Sequence, residues 1–221
     1  MTKEMGSLRD TVIAKQKDLR NAIEAMTQAT KEPFIPWAPS LSDAQLANCR
    51  VLPSRNHILD HMPKGGVCAE VGTQAGHFAK TIWTKTQPTK LHIIDMDLSQ
   101  FQQRDHFKRE IESGQVVLHE GNSSKLLDAF PDNYFDWIYI DADHSYEGFC
   151  ADLGVSAKKL KANGLIVCND YAVWSPSEVS AYGVLKGIHE FCLRENWEFL
   201  FLGLHGQGYH DVCLARRGAN S

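Results

Sequence analysis

The chain has 221 residues, a formal net charge of -4 and 43% hydrophobic residues, enough for one domain with a substantial core and an added segment. Its mildly acidic balance, without any basic run or stripe, gives no electrostatic reason to expect a nucleic-acid partner. The apolar stretches are strand-sized, far short of the roughly 20 residues that a membrane helix needs, and charges stand near the N-terminus where a signal peptide needs an apolar run. A soluble, cytoplasmic protein without a membrane partner is expected.

Residues 1–30 are polar, with Leu8, Val12, Leu19, Ile23 and Met26 spaced as one face of a helix. The apolar side of this arm has to be covered either by the main domain or by another copy of the chain, as in a homodimer. Residues 31–40 contain Pro33, Pro36 and Pro39, which break any helix. This is a linker or a lid, in which Phe34 and Trp37 either pack or close over a substrate. Residues 42–49 and 54–62 read as two short helices. The domain division is therefore a helical arm and lid over 1–53 and a main domain over 54–221. His57 and His61 stand four apart on the second short helix, but Ile58 occupies the place where a metalloprotease needs Glu.

Residues 67–71 are a short apolar run interrupted by Glu70, followed at once by the turn Gly72-Thr73-Gln74-Ala75-Gly76 and by helical spacing over 77–84. A buried strand, a tight turn and a helix start are expected, with Gly72 and Gly76 at positions where backbone bends sharply and a ligand can approach it. The turn lacks the G-x-G-x-x-G spacing that seats a pyrophosphate, and Glu70 would repel one.

Strand and helix then alternate. Strands are expected at 91–94, 116–119, 137–140 and 165–168, with helices at 100–112, 124–130 and 146–160 between and after them. This pattern argues for a doubly wound, mostly parallel sheet, whose ligands lie at the carboxyl ends of the strands. Polar and acidic residues collect at those ends: Glu70, Asp95, Asp141, Asn169 and Asp170. A helix at 179–195 is followed by strands at 197–202 and 209–215. The link between these strands is glycine-rich and so short that they should form an antiparallel hairpin.

Asp95 follows Gly72 by about 20 residues, a placement suited to hydrogen bonds from a ribose diol, with Asp97 a competing choice. Asn122 and Ser123 offer donors and acceptors after the third of these strands, and a helix cap at Ser123 or Ser124 is equally natural. The most informative stretch is Asp141-Ala142-Asp143-His144-Ser145-Tyr146-Glu147, followed downstream by Asn169-Asp170-Tyr171. Neighbouring strand ends would bring Asp141, Asp143, Asn169 and Asp170 together, a set of oxygens suited to a hard divalent cation such as Mg2+. Without a cation such a cluster would repel itself.

The glycine turn resembles motif I of the class I S-adenosylmethionine (SAM)-dependent methyltransferases. Together with Asp-x-Asp-His-x-Tyr-Glu and Asn-Asp-Tyr, it resembles the O-methyltransferases of the Methyltransferase 24 type, related to catechol, caffeoyl-CoA and sugar O-methyltransferases. The resemblance covers about residues 54–215. It implies a seven-stranded α/β fold with a C-terminal antiparallel hairpin. It further implies SAM held by Glu70, Gly72, Thr73, Gly76, Asp95, Asn122, Ser123 and Asp141, and a divalent metal held by Asp141, Asn169 and Asp170. A small-molecule hydroxyl would be the acceptor, with Asp143 or His144 as the base and Tyr146, Tyr171, Trp174 and Trp37 lining the acceptor side. Catechol-type relatives carry Lys where this chain has His144. A non-catalytic SAM-binding protein and a NAD-dependent oxidoreductase are the competing readings. The six cysteines, Cys49, Cys68, Cys150, Cys168, Cys192 and Cys213, are scattered without zinc-ligand spacing and are expected to be reduced.

Overall fold

A computed structural model describes residues 3–35 and 37–218. The chain divides into two compact units, Met1–Trp37 and Ala38–Ser221. The boundary expected at residue 53 thus moves to 37, because Arg50–Leu52 contributes a strand to the sheet of the larger unit. The smaller unit holds one helix, α1 (Lys3–Thr30). Among the described residues, no helix is long and apolar enough to cross a membrane.

The larger unit opens with α2 (Asp43–Leu46), β1 (Arg50–Leu52) and α3 (Arg55–Asp60). The alternating section follows as β2 (Val67–Val71), α4 (His77–Thr86), β3 (Lys90–Asp95), α5 (Lys108–Glu112), β4 (Val116–Glu120), α6 (Ser123–Asp128), β5 (Phe135–Ile140), α7 (Tyr146–Lys159) and β6 (Leu160–Tyr171). The chain ends with the short pair β7 (Trp174–Ser175) and β8 (Ser180–Ala181), then α8 (Val184–Glu195), β9 (Trp197–Gly203) and β10 (His210–Arg216).

Eight strands form one sheet in the order β1-β9-β10-β6-β5-β2-β3-β4, while β7 and β8 pair separately and antiparallel. The run from β6 to β4 is parallel throughout. β10 lies antiparallel to both β6 and β9, which is the expected hairpin inserted at the sheet's far side. β1, parallel to β9, is an eighth strand that its three residues did not announce.

Period-two alternation sends successive side chains to opposite faces of the sheet. Ala69 and Val71 of β2 join Ile138 and Ile140 of β5 on the face covered by Phe149 and Leu153 of α7 and Ile188 and Phe191 of α8. Cys68, Trp137 and Tyr139 face the other way, against Ile58 and Leu59 of α3 and Ala79 and Ile82 of α4. Each such fully buried large side chain contributes about 1.5–3 kcal/mol, so the central strands fix the register of everything at their ends. Val71 pairs with both Ile94 and Ile140. The pairing continues past the strands through Gly72 N–H to Ile94 O (2.8 Å) and Asp141 N–H to Val71 O (2.7 Å). Gly72, Asp95 and Asp141 are thereby brought level along one edge, with Glu70 two residues back along β2.

Two expected helices are shorter than their apolar spacing suggested. The segment expected as a helix over 100–112 is a 3-10 turn (Leu98–Gln100), a loop and the five-residue α5. Phe101 and Phe107 supply the apparent periodicity by inserting separately into the core, 4% and 0% exposed. The helix expected from 179 starts at Val184 because Ser180–Ala181 pairs with Trp174–Ser175.

Candidate active site

A cleft of about 670 Å³ lies over the carboxyl ends of β2, β3, β4, β5 and β6, the position that a doubly wound sheet reserves for ligands. Its floor is the turn between β2 and α4. Gly72 holds φ +83, and a Cβ placed there would stand 2.0 Å from Asp141 O. Glycine is needed both for the left-handed backbone and for the close approach of the segments that leave the parallel strands β2 and β5. Gly76 also holds a positive φ, 78, but does not line the cleft: a Cβ there would meet the Phe101 ring at 2.3 Å.

The polar groups fall in the order of the strands. Glu70 ends β2 almost wholly buried and accepts a hydrogen bond from Thr73 Oγ1. Burial pushes its carboxyl up to about 8, opposed by that bond and by the charge of Arg55. Asp95 ends β3 and holds the turn closed, its Oδ2 accepting from Thr73 N–H at 2.7 Å and Gln74 N–H at 2.9 Å. A carboxylate has further lone-pair sites beyond these, so the ribose role expected of it is compatible with this geometry. Asn122 caps α6 by accepting from Lys125 N–H at 3.1 Å. Ser123 Oγ donates to the Asp152 carboxylate, 2.7 Å from one oxygen and 2.8 Å from the other. Burial raises Asp152 to about 6.

On the other side, Asp141 Oδ1 and Asp170 Oδ2 lie 3.7 and 3.6 Å from His144 Nε2. The two strand ends do converge, and His144 stands between them. Its ring stacks on Tyr182, centroids 4.4 Å apart, and its Nε2 is buried with no hydrogen-bond partner among the described residues. Burial and then the charge of Asp170 hold the Asp141 carboxyl well above the usual range. Asp170 is raised by burial too, with His144 and Arg55 pulling it back. Asp170 also carries φ +52, a conformation that Asp tolerates better than most residues but that still costs about 1 kcal/mol or more. Asp143 lines the cleft, and its Oδ1 accepts from Ser145 N–H at 2.8 Å at the start of α7.

Four expected residues of the larger unit, Asn169, Tyr146, Tyr171 and Trp174, do not line the cleft. Asn169 is buried beneath it, with its amide nitrogen 3.5 Å from Asp211 Oδ1. The oxygen set expected for a metal is therefore not assembled. Among the described residues, no group of three or more His, Cys, Asp and Glu side chains could hold a metal ion. Tyr146 points instead to α8, donating to Glu190 with Lys186 Nζ 4.0 Å from its ring centre. Tyr171 joins the core, its hydroxyl bonded to His189 Nε2 and its ring edge-on to Phe199. Trp174 sits in the β7–β8 ribbon, outside the cleft lining. Trp37 belongs to the smaller unit and is 88% exposed.

Residues that the sequence reading passed over also line the cleft, among them Arg55, Phe78, Met96, Asp152 and Glu178. Asp152 had a readable signal, an acid three residues after Phe149 on the apolar face of α7. Arg55 had none. Its Nη1 donates to Tyr139 Oη at 3.2 Å, and Tyr139 Oη donates to Asp211 Oδ2 at 2.7 Å. Burial lifts Asp211 to about 7, opposed by the Tyr139 bond and Arg55.

Comparison with known proteins agrees with this arrangement. Residues 69–171 match the family described as a methyltransferase domain. No curated protein matches the chain. Among solved structures, the fold is similar to an O-methyltransferase from Bacillus cereus in complex with S-adenosylhomocysteine (SAH), with TM-score 0.53 and 14% identity over 89% of this chain and 90% of that one. It is also similar to the M1A22 tRNA methyltransferase TrmK of B. subtilis, with TM-score 0.54 and 14% identity over 76% and 67%. The pyocyanin biosynthetic protein PhzM has TM-score 0.51 and 17% identity over 73% of this chain, which spans 54% of that longer one. At such identities the structures speak for the fold alone. The matched segment makes residues 69–171 similar to a methyltransferase domain, and the solved structures give the larger unit a Rossmann-like fold.

Proposed function

We propose that the chain is a SAM-dependent O-methyltransferase acting on a hydroxyl of a small molecule such as a sugar, a glycoside or a catechol-like compound. The observation that carries this reading is the meeting of Asp141, His144 and Asp170 in the same cleft as the Glu70–Gly72 turn. Among the described residues, seven carboxylates and one arginine line that cleft, which suits a sulfonium cofactor and not a nucleic-acid backbone.

In this reading Asn122 and Ser123 would hold the adenosine, Asp95 the ribose, and Glu70 and Gly72 the sulfonium end. Methyl transfer is a displacement in which the new O–CH3 bond forms as the S–CH3 bond breaks, and its rate depends on alignment and on removal of the hydroxyl proton. His144 Nε2 is the acceptor the geometry favours. Among the described residues its Nε2 has no hydrogen-bond partner, and Asp141 and Asp170 lie close enough to balance the charge of the proton it takes. The proton ends on His144, and SAH and the methyl ether leave. Asp143 has one carboxylate oxygen engaged by Ser145 N–H, which makes it the lesser candidate.

Among the described residues, the expected ligands Asp141, Asn169 and Asp170 do not fit a metal as they stand, because the Asn169 amide is turned to Asp211. The six free cysteines suit a reducing, cytoplasmic setting, and the exposed Met5, Leu8, Val12, Leu19 and Met26 of α1 support a second copy of the chain as the arm's partner. The test is methyl transfer from labelled SAM to a panel of sugars, glycosides and catechols, with and without EDTA. Turnover that survives EDTA is expected. A loss restored by Mg2+ would require Asn169 to turn into the cleft.

A further inference from the structure

The cleft walls carry Glu70, Asp95, Asp141, Asp143, Asp152, Asp170 and Glu178, against which Arg55 is the one Lys or Arg among the described residues lining it. A ligand complementary to such a wall is largely cationic but carries a single anionic group. The place of that group is set by the contacts of Arg55. Its guanidinium carbon lies 4.2 Å from the ring centre of Phe78, and its Nη1 is held by Tyr139 of β5, which is itself bonded to Asp211 of β10. This is the β5–β10 side of the sheet. Asn122, Ser123 and Asp152, at the end of β4 and on α7, mark the opposite side.

Building on the cofactor reading above, we propose that Arg55 binds the α-carboxylate of the methionine portion of SAM and so selects ligands that keep the amino-acid end. Adenosine at the β3–β4 side extends the cofactor across Glu70 toward β5, where its sulfonium and α-ammonium meet carboxylates and its carboxylate meets the guanidinium. Among the described residues, one of the five N–H donors of Arg55 is hydrogen-bonded, to Tyr139, which leaves donors of the planar fork for bidentate binding. The inference also gives Asn169 a function other than metal binding. With its amide at Asp211, it is a positioning residue at the base of a chain running Asn169, Asp211, Tyr139, Arg55.

The test compares three ligands by calorimetry: SAH, its decarboxylated analogue, and 5′-deoxy-5′-methylthioadenosine, which keeps adenosine and sulfur but has no amino-acid end. Wild-type protein should bind SAH 10- to 100-fold more tightly than the decarboxylated analogue, the range for a charge-assisted hydrogen bond. Arg55→Met should weaken SAH by a similar factor while leaving methylthioadenosine within about threefold, and Arg55→Lys should recover part of the loss. The comparison of SAH with its decarboxylated analogue on wild-type protein stands even if Arg55→Met does not fold. Equal weakening of all three ligands would mark Arg55 as a structural residue and overturn the proposal. So would equal wild-type affinity for SAH and the decarboxylated analogue. If wild-type protein binds neither SAH nor methylthioadenosine, the cofactor reading fails and the proposal with it.

Discussion

Replacing Gly72 by Ala tests whether the turn after β2 has the geometry described. The added Cβ would lie 2.0 Å from Asp141 O, 2.5 Å from Asp141 C and 2.7 Å from Ala142 Cα, where ordinary contact begins at 3.4 Å. Those atoms are backbone at the end of a central strand, so they cannot swing aside as a side-chain tip would. The left-handed φ adds about 1–2 kcal/mol for any L-residue, and overpacking against a fixed wall costs about 1–3 kcal/mol. The sum, about 2–5 kcal/mol, corresponds to a fall in Tm of roughly 5–20 °C for a domain of this size. Thermal unfolding followed by circular dichroism measures it. Gly206→Ala serves as the control, since a Cβ there meets nothing within 4 Å. A Gly72→Ala melting point within 2 °C of wild type would refute the close approach of Gly72 to Asp141.

The remaining predictions concern the charged groups. His144→Gln should lower kcat by about 10²–10⁴ while SAH affinity stays within threefold, whereas Asp143→Asn should cost less than tenfold; the reverse order in a steady-state assay would move the base to Asp143. Glu70 has its carboxyl raised from the ordinary 4.5 to about 8, so its contribution to stability is present in full below pH 4.5 and is lost as pH rises through 8. Across that window ligand-free protein should lose up to about 5 kcal/mol from this group, and Glu70→Gln should flatten the decline in urea-unfolding free energy. An unchanged slope in the variant would show that Glu70 is ionised in the folded protein.

Much of this site was legible because strand periodicity and strand ends are local properties. The apolar run into Glu70, the glycines after it and the acids at 95, 141 and 170 needed only a parallel sheet to come level, and the β2–β3 and β2–β5 registers supply it. What failed was side-chain direction. Tyr146 and Tyr171 sit beside motif residues in sequence, yet Tyr146 turns to Glu190 on α8 and Tyr171 to His189 and Phe199. Asn169 neighbours Asp170, but alternation along a strand sends adjacent side chains opposite ways, and Asn169 is committed to Asp211. Arg55 was illegible for a different reason. Nothing near it in sequence carries a motif, and its place depends on Tyr139 and Asp211, 84 and 72 residues further along the respective steps of the chain.

The central functional claim is that the cleft at the strand ends is a seat for SAM. Titration of the full chain with SAH and, separately, with NAD+ in a calorimeter measures this without any knowledge of the acceptor. The account predicts one saturable SAH site per chain and no heat with NAD+. Binding of NAD+, or no binding of SAH, would contradict it.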